Sequence, residues 1–152
     1  IDTFATVSQL VILVGTAVTI GFSEPYLREK RIPFAEVYPL MVWSAVGAMI
    51  LVSTENLLTM FVGLEILSVS LYVLAGLSRD EEGSQESAIK YFLLGAFASG
   101  FLLYGIALIY GSAGSVHLQT LRDVGGAGNE NARLLATVGL GLILVGFGFK
   151  AS

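Results

Sequence analysis

The chain has 152 residues, of which 55% are hydrophobic and only 13% charged, and its formal net charge is −4. That charged share is about half of the roughly 25% usual in a soluble domain, and the mean hydropathy is +0.79. With eight Lys and Arg residues scattered along the chain and no cysteine, the sequence excludes a basic nucleic-acid-binding surface, a disulfide framework, and a cysteine-ligated zinc or iron–sulfur site; its charge-free runs make lipid the solvent.

Five candidate spans follow, each near the roughly 20 residues that a bilayer requires. The first runs from about Phe4 to Phe22 without a charge. The second, about Val37 to Ser53, is also uncharged and carries Pro39 in its first turn, where a missing N–H is tolerated. The third is Leu57 to Leu77, LLTMFVGLEILSVSLYVLAGL, with Glu65 as its one charge. The fourth, about Gln85 to Tyr110, carries Lys90 near its start, and the fifth begins near Leu134 and is still running at the last residues, with Lys150 two positions before Ser152. Backbone groups in lipid must be satisfied within the segment, so these spans are expected to be helices; the alternation that membrane strands need is absent. The expected fold is an all-α, polytopic transmembrane helix bundle of about five spans, a single membrane domain over residues 1–152.

The connections alternate in character. Residues 23–36 hold Pro25 and Pro33 around a charged LREKR and read as a loop; residues 54–56 form a tight TEN turn; residues 78–84 read SRDEEGS, with Ser84 as an expected N-cap. The longest connection, residues 111–133, is expected to be irregular apart from one short helix at VHLQTL. Arg28, Lys30, Arg31 and Arg79 lie on one side, Arg122 and Arg133 on the other, so the excess of cations places loops 23–36 and 78–84 in the cytoplasm. Small residues four apart on the fourth span, Gly95 with Ser99 and Ala96 with Gly100, are expected to allow close helix contact. The chain starts at Ile1 without an initiator Met and ends straight after an apolar run. It is expected to be a piece of a longer polypeptide, without a signal peptide.

Three charges lie inside the spans. Lys90 is about five residues into its span, roughly 8 Å by helical rise, and can snorkel to the headgroups; Glu86, four residues earlier, is in the favourable order for a helical ion pair. Lys150 follows some sixteen residues of its span, about 24 Å of rise, and is interfacial or deep according to how far that span continues. Glu65 lies eight residues from one end of its span and twelve from the other, too deep for a glutamate to reach water. An ionisable group at that depth costs at least a few kcal/mol, which points to an ion or proton pathway; a protonated, hydrogen-bonded structural glutamate is the simpler reading. His117 sits in a loop without a second ligand, so no metal site is expected, and the glycines of GLGLILVGFGF and GGAGNENAR match neither a dinucleotide-binding nor a P-loop spacing.

The stretches FVGLEILSVSLYVLAG, SAIKYFLLGAFASGFLLYGIALIYGSAGS and VGFGFKAS closely resemble the antiporter-like membrane subunits of respiratory complex I, and among them the subunit N branch of the proton-translocating NADH:quinone oxidoreductases. The likeness is strong over residues 51–152 and rests mainly on span pattern over residues 1–50. It implies a fold of about fourteen helices with two inverted repeats of about five, of which this chain would cover the third to the seventh helix, largely the first repeat. Glu65 then matches the family's glutamate on the fifth helix, Lys90 a lysine on the sixth, and Lys150 the lysine on the broken seventh helix, its ion-pair partner. The implied activity is proton translocation through Glu65, Lys90 and Lys150, coupled to quinone reduction elsewhere in an enzyme complex of the bacterial inner membrane. Flavin, iron–sulfur clusters and quinone would belong to other subunits, with no cofactor or redox centre in this chain. The implied partners are other complex I membrane subunits, the lipid bilayer and protons, with no nucleic acid. Two alternatives stand beside it: a subunit of a multi-subunit cation/proton antiporter or membrane-bound hydrogenase, and a non-translocating membrane scaffold in a dry bundle.

Overall fold

The five apolar runs satisfy their backbone groups as five helices: α1 (Thr3–Glu29), α2 (Phe34–Ser53), α3 (Leu57–Ala75), α4 (Glu82–Ala113) and α5 (Glu130–Ala151). The structure, a computed structural model, describes residues 2–32, 34–78, 82–120 and 130–151. Arg79 and Arg122, two of the cations in the sidedness count, and Ser152 lie outside the described residues. All five helices are long and apolar enough to cross a bilayer by length and composition. Among the described residues the extended backbone amounts to one isolated bridge, Asn56 with His117.

The helix ends correct several expected boundaries. α1 does not stop near Phe22 but runs through Pro25 to Glu29. One proline removes one backbone bond, while Arg28 donates to Glu24 Oε1 from Nε at 2.9 Å and from Nη2 at 2.7 Å, an i,i+4 pair that supports the final turns. The helix closes in a Schellman motif: Arg31 N–H bonds Arg28 O at 3.3 Å and Ile32 N–H bonds Leu27 O at 3.0 Å. Arg31 holds the left-handed position at φ 53°, where glycine is usual, and Ile32 packs back against the cluster containing Leu27, the apolar contact that accompanies this motif. The 23–36 connection is therefore helical over its first half.

At the start of α3 the TEN turn supplies the cap. Asn56 Oδ1 accepts from Leu58 N–H at 3.0 Å and Thr59 N–H at 3.1 Å, two of the orphan donors of a first turn. α3 ends at Ala75 rather than Leu77, tightening through Gly76 N–H to Val73 O at 3.0 Å and Leu77 N–H to Leu74 O at 3.3 Å. Ser84 is not the N-cap of α4, because that helix already includes Glu82 and Gly83. Its hydroxyl instead donates to Ala75 O at 2.5 Å and satisfies an orphan carbonyl at the end of α3. Of the expected short helix at VHLQTL, residues 118–120 are helical and Leu121 lies outside the described residues.

Contacts divide the chain into two units, Ile1–Ser53 with Val62–Leu93 and Thr54–Phe61 with Leu94–Ser152. In the first, α1 packs on α2, and Leu27, Val37 and Leu77 form a buried cluster joined by Met41 and Leu74. α2 and α3 meet backbone to backbone, antiparallel. A Cβ at Gly47 would lie 2.6 Å from Gly63 O and 2.5 Å from Leu67 N, and a Cβ at Gly63 would lie 2.9 Å from Gly47 O.

The second unit repeats the device. α4 buries Ala98, Leu102, Gly105, Ile106 and Ile109, and α5 buries Ala136, Gly139, Ile143 and Gly146, two stripes at the three- and four-residue spacing of antiparallel helix packing. Cβ atoms at Gly105 and Gly139 would each run into the other's carbonyl, at 2.6 and 2.9 Å, and one at Gly146 would meet Leu102 Cβ at 2.9 Å and Ala98 O at 3.0 Å. Small residues on α4 do mediate close contact, but not the pair Ala96 and Gly100. Both are exposed, and nothing lies within 4 Å of a Cβ built at Gly100. The segment after α4 also clasps the α2–α3 turn. Leu57 N–H bonds Val116 O and Leu118 N–H bonds Glu55 O, both at 2.9 Å, and Gln119 Nε2 donates to Glu55 Oε2 at 2.8 Å.

Candidate functional site

Glu65 is carried at mid-height of α3. The helix is apolar over Leu57–Ala75 apart from its hydroxyls and this carboxyl, and Glu65 is eight residues from its start and ten from its end, about 12 and 15 Å by helical rise. Gly63 and Leu67 face α2, and Glu65 is about 200° around the helix from each of them. The carboxyl therefore points away from the glycine seam. Its own face includes Val62 and Val69, which are 50% and 46% exposed, and Glu65 itself is half-buried.

The neighbouring hydroxyls bond within their own helix. Ser68, 7% exposed, donates to Leu64 O at 2.7 Å, and Ser70, 6% exposed, donates to Ile66 O at 2.8 Å. Each hydroxyl keeps lone pairs that accept, so α3 carries acceptors around its one ionisable group.

Lys90 stands about 12 Å into α4, eight residues beyond Glu82, deeper than its sequence-based span start implied. Its Nζ pairs with Glu86 Oε1 one turn earlier, and both side chains are about two-thirds exposed, 67% and 65%. This is the simple helical pair that the i,i+4 spacing suggested. A link toward α3 comes instead from the next residue: Tyr91 stacks nearly parallel on Tyr72, with ring centroids 6.5 Å apart and planes at 8°. Tyr72 is seven residues, two turns, beyond Glu65 and so shares its face of α3. Sequence reasoning left the tyrosines unassigned; the seven-residue spacing was the available signal for Tyr72, while nothing in the sequence pairs it with Tyr91.

Lys150 lies in the last turn of α5 and is half-buried. α5 gains a polar first turn, Glu130 to Arg133, ahead of the expected start at Leu134, so its apolar length before Lys150 stays near 24 Å. Glu65 and Lys90 belong to the first unit and Lys150 to the second. The backbone of His117 takes part in the bridge with Asn56.

Sequence reasoning also missed a cavity of about 500 Å³ in the first unit, walled by serines and floored by apolar side chains. No local signal marks it, because its walls come from the ends of four helices.

Comparison with known proteins gives a consistent result. The family model described as NADH:quinone oxidoreductase/Mrp antiporter, TM, matches residues 54–152. The chain is 47% identical over 149 residues to NADH-quinone oxidoreductase subunit N of Salinibacter ruber, an alignment covering 98% of this chain and 30% of that protein. It is 40% identical over 154 residues to the subunit N of Trichlorobacter lovleyi, covering 99% and 31%. Among solved structures it is similar to a chain of respiratory complex I from Thermus thermophilus with bound aureothin, with a TM-score of 0.77 and 40% identity over 99% of this chain and 31% of that one. The chain thus spans about a third of the length of the relatives it matches.

Proposed function

Because this chain belongs to the NADH:quinone oxidoreductase/Mrp antiporter transmembrane family, we propose that it works as part of a proton-translocating subunit of an NADH-quinone oxidoreductase, of the subunit N kind. The observation that carries the proposal is Glu65: one carboxyl at mid-height of a 19-residue apolar helix, retained in a setting that penalises it by at least a few kcal/mol. The names of the similar proteins, subunit N of NADH-quinone oxidoreductases, support the assignment to an enzyme complex; in this reading flavin, clusters and quinone reside in other subunits, and other membrane subunits are the partners of this one.

In the proposed mechanism the Lys150 ammonium neutralises the Glu65 carboxylate. A charge displacement driven by quinone reduction elsewhere withdraws Lys150. The carboxylate is then left without a counter-charge in apolar surroundings and is neutralised by a proton. The proton passes on along hydrated positions through Lys90 or Lys150, whose ammonium first gives up a proton ahead and then takes this one in its place. The chain's setting is a bacterial inner membrane, multi-pass within a single membrane domain, with residues 23–36 and 78–84 on the cytoplasmic side by the excess of cations there.

The test is Glu65→Gln in the intact complex, which keeps shape and hydrogen bonding but removes the titratable group. Proton pumping and coupled quinone reduction should fall together. Unchanged pumping with normal assembly would remove Glu65 from the path. The family description also covers Mrp antiporters, so a second reading is a cation/proton antiporter subunit; Na⁺-dependent antiport without NADH-driven quinone reduction would favour it.

A further inference from the structure

The first unit contains a second polar feature unrelated to Glu65. The ends of α1 and α3 and the starts of α2 and α4 enclose the cavity of about 500 Å³, a size within the usual range for small-molecule sites. Its floor is apolar, with Leu27, Val37 and Leu74, and its walls carry Ser23, Ser84 and Ser87. Ser78 also lines the cavity, and the other three hydroxyls already donate their hydrogens to backbone carbonyls: Ser23 to Ile20 O at 2.8 Å, Ser84 to Ala75 O at 2.5 Å and Ser87 to Gly83 O at 2.7 Å. What they offer the cavity is lone pairs, so the walls accept hydrogen bonds.

The charge around this end has the matching sign. Among the described residues of 23–36 and 78–90 there are five acidic side chains, Glu24, Glu29, Glu36, Glu82 and Glu86, and four basic ones, Arg28, Lys30, Arg31 and Lys90, an acidic excess of one at this end. A ligand that fits must bring N–H donors and positive charge to the wall and an apolar body to the floor, at a depth where apolar helix gives way to charged connection. An ammonium offers three donors on one atom to three acceptor hydroxyls.

We propose that this cavity binds the headgroup and upper chains of an aminophospholipid of the phosphatidylethanolamine type, through its primary ammonium. The site depends only on the fold of the first unit and not on any role of Glu65 in proton transfer.

The test uses the intact membrane protein in vesicles containing phosphatidylethanolamine with a photoreactive group near the glycerol. After a flash, adducts should map to the peptides that include Ser23–Met41 and Leu74–Ser87. Unlabelled phosphatidylethanolamine should compete about tenfold better than phosphatidylcholine, whose quaternary ammonium has no N–H, and better than anionic phosphatidylglycerol. Gly83 lines the cavity, and a Cβ there meets nothing within 4 Å, so Gly83→Leu fills the space without a backbone clash and favours the helix. It should lower labelling about tenfold. Ser87→Ala, which removes one acceptor, should lower it about fivefold, and Glu65→Gln should leave it unchanged. Equal competition by phosphatidylcholine or phosphatidylglycerol, labelling that survives Gly83→Leu, or no adducts in these peptides because protein covers the cavity would each overturn the proposal.

Discussion

The α2–α3 seam offers the sharpest test of how these helices hold together. Replacing Gly47 by alanine adds one methyl carbon, 2.6 Å from Gly63 O and 2.5 Å from Leu67 N. Both neighbours are backbone, so neither can rotate away. Ordinary contact begins near 3.4 Å, and the helices must part by about 0.8–0.9 Å to restore it. A gap of that size forfeits a quarter to a half of the dispersion energy of each contact along the seam. With overpacking itself costing about 1–3 kcal/mol, Gly47→Ala should destabilise by about 2–3 kcal/mol. The matched controls are Gly100→Ala and Gly141→Ala, where a Cβ meets nothing within 4 Å. Without a clash, alanine there should be neutral or up to about 1 kcal/mol stabilising by helix propensity. Reversible unfolding of the intact membrane protein in nanodiscs measures all three. If Gly47→Ala behaves like the controls, close backbone approach does not hold α2 to α3 and the packing argument fails.

Further outcomes follow from the same contacts. Gly105→Ala should resemble Gly47→Ala in unfolding measurements, because its Cβ would sit 2.6 Å from Gly139 O, costing about 1–3 kcal/mol. Asn56→Ala removes the acceptor for Leu58 and Thr59 N–H and should weaken the first turn of α3 by about 1 kcal/mol, read as faster hydrogen exchange at those amides, whereas Asn56→Asp should preserve protection. Arg31→Gly should stabilise the end of α1 by about 1 kcal/mol, since glycine takes the left-handed φ without the Cβ penalty; a loss of stability in thermal unfolding would contradict the Schellman assignment. Glu86→Gln and Lys90→Gln should have equal and small effects on stability, about 0.5 kcal/mol or less for an exposed helical pair. If Lys90 relays protons, only Lys90→Gln should also slow pumping in reconstituted vesicles; equal pumping in both variants would make Lys90 purely structural.

Helix existence was legible wherever charge-free length was the cause. The runs containing Leu57–Ala75 and Leu134–Ala151 are too apolar and too long for anything but spans, and both are helical. Boundaries were legible only where a local cap announces itself. The start of α3 at Leu57 was legible from the three-residue turn before it, although Asn56 was not singled out as its cap, and the end of α1 was not legible. The sequence reading ends the span at Phe22, ahead of Pro25, while the structure carries the helix on to a Schellman motif held by Arg31, without the glycine that normally signals it. Ser84 shows the same limit from the other side: its residue type suggested a cap, and its actual partner is a carbonyl on another helix, Ala75 O. Which glycines matter was likewise not readable from spacing. Gly100 and Gly105 sit on one helix in similar surroundings of sequence, yet only Gly105 meets a neighbour's backbone.

The sequence by itself determined the solvent, the class of fold, the five spans and the anomaly of Glu65. All of these rest on the one-dimensional cost of placing charge and unpaired backbone in lipid. It also carried the resemblance that family membership bears out. Azimuth and partnership were decided by the tertiary structure alone: Glu65 turned away from the glycine seam, Tyr72 laid on Tyr91, the α2–α3 turn clasped by residues 116–119, and the serine-walled cavity at four helix ends. Depth along a helix follows from counting residues. The direction a side chain faces follows from which other helix fits against it, and that is settled by packing between segments far apart in the chain.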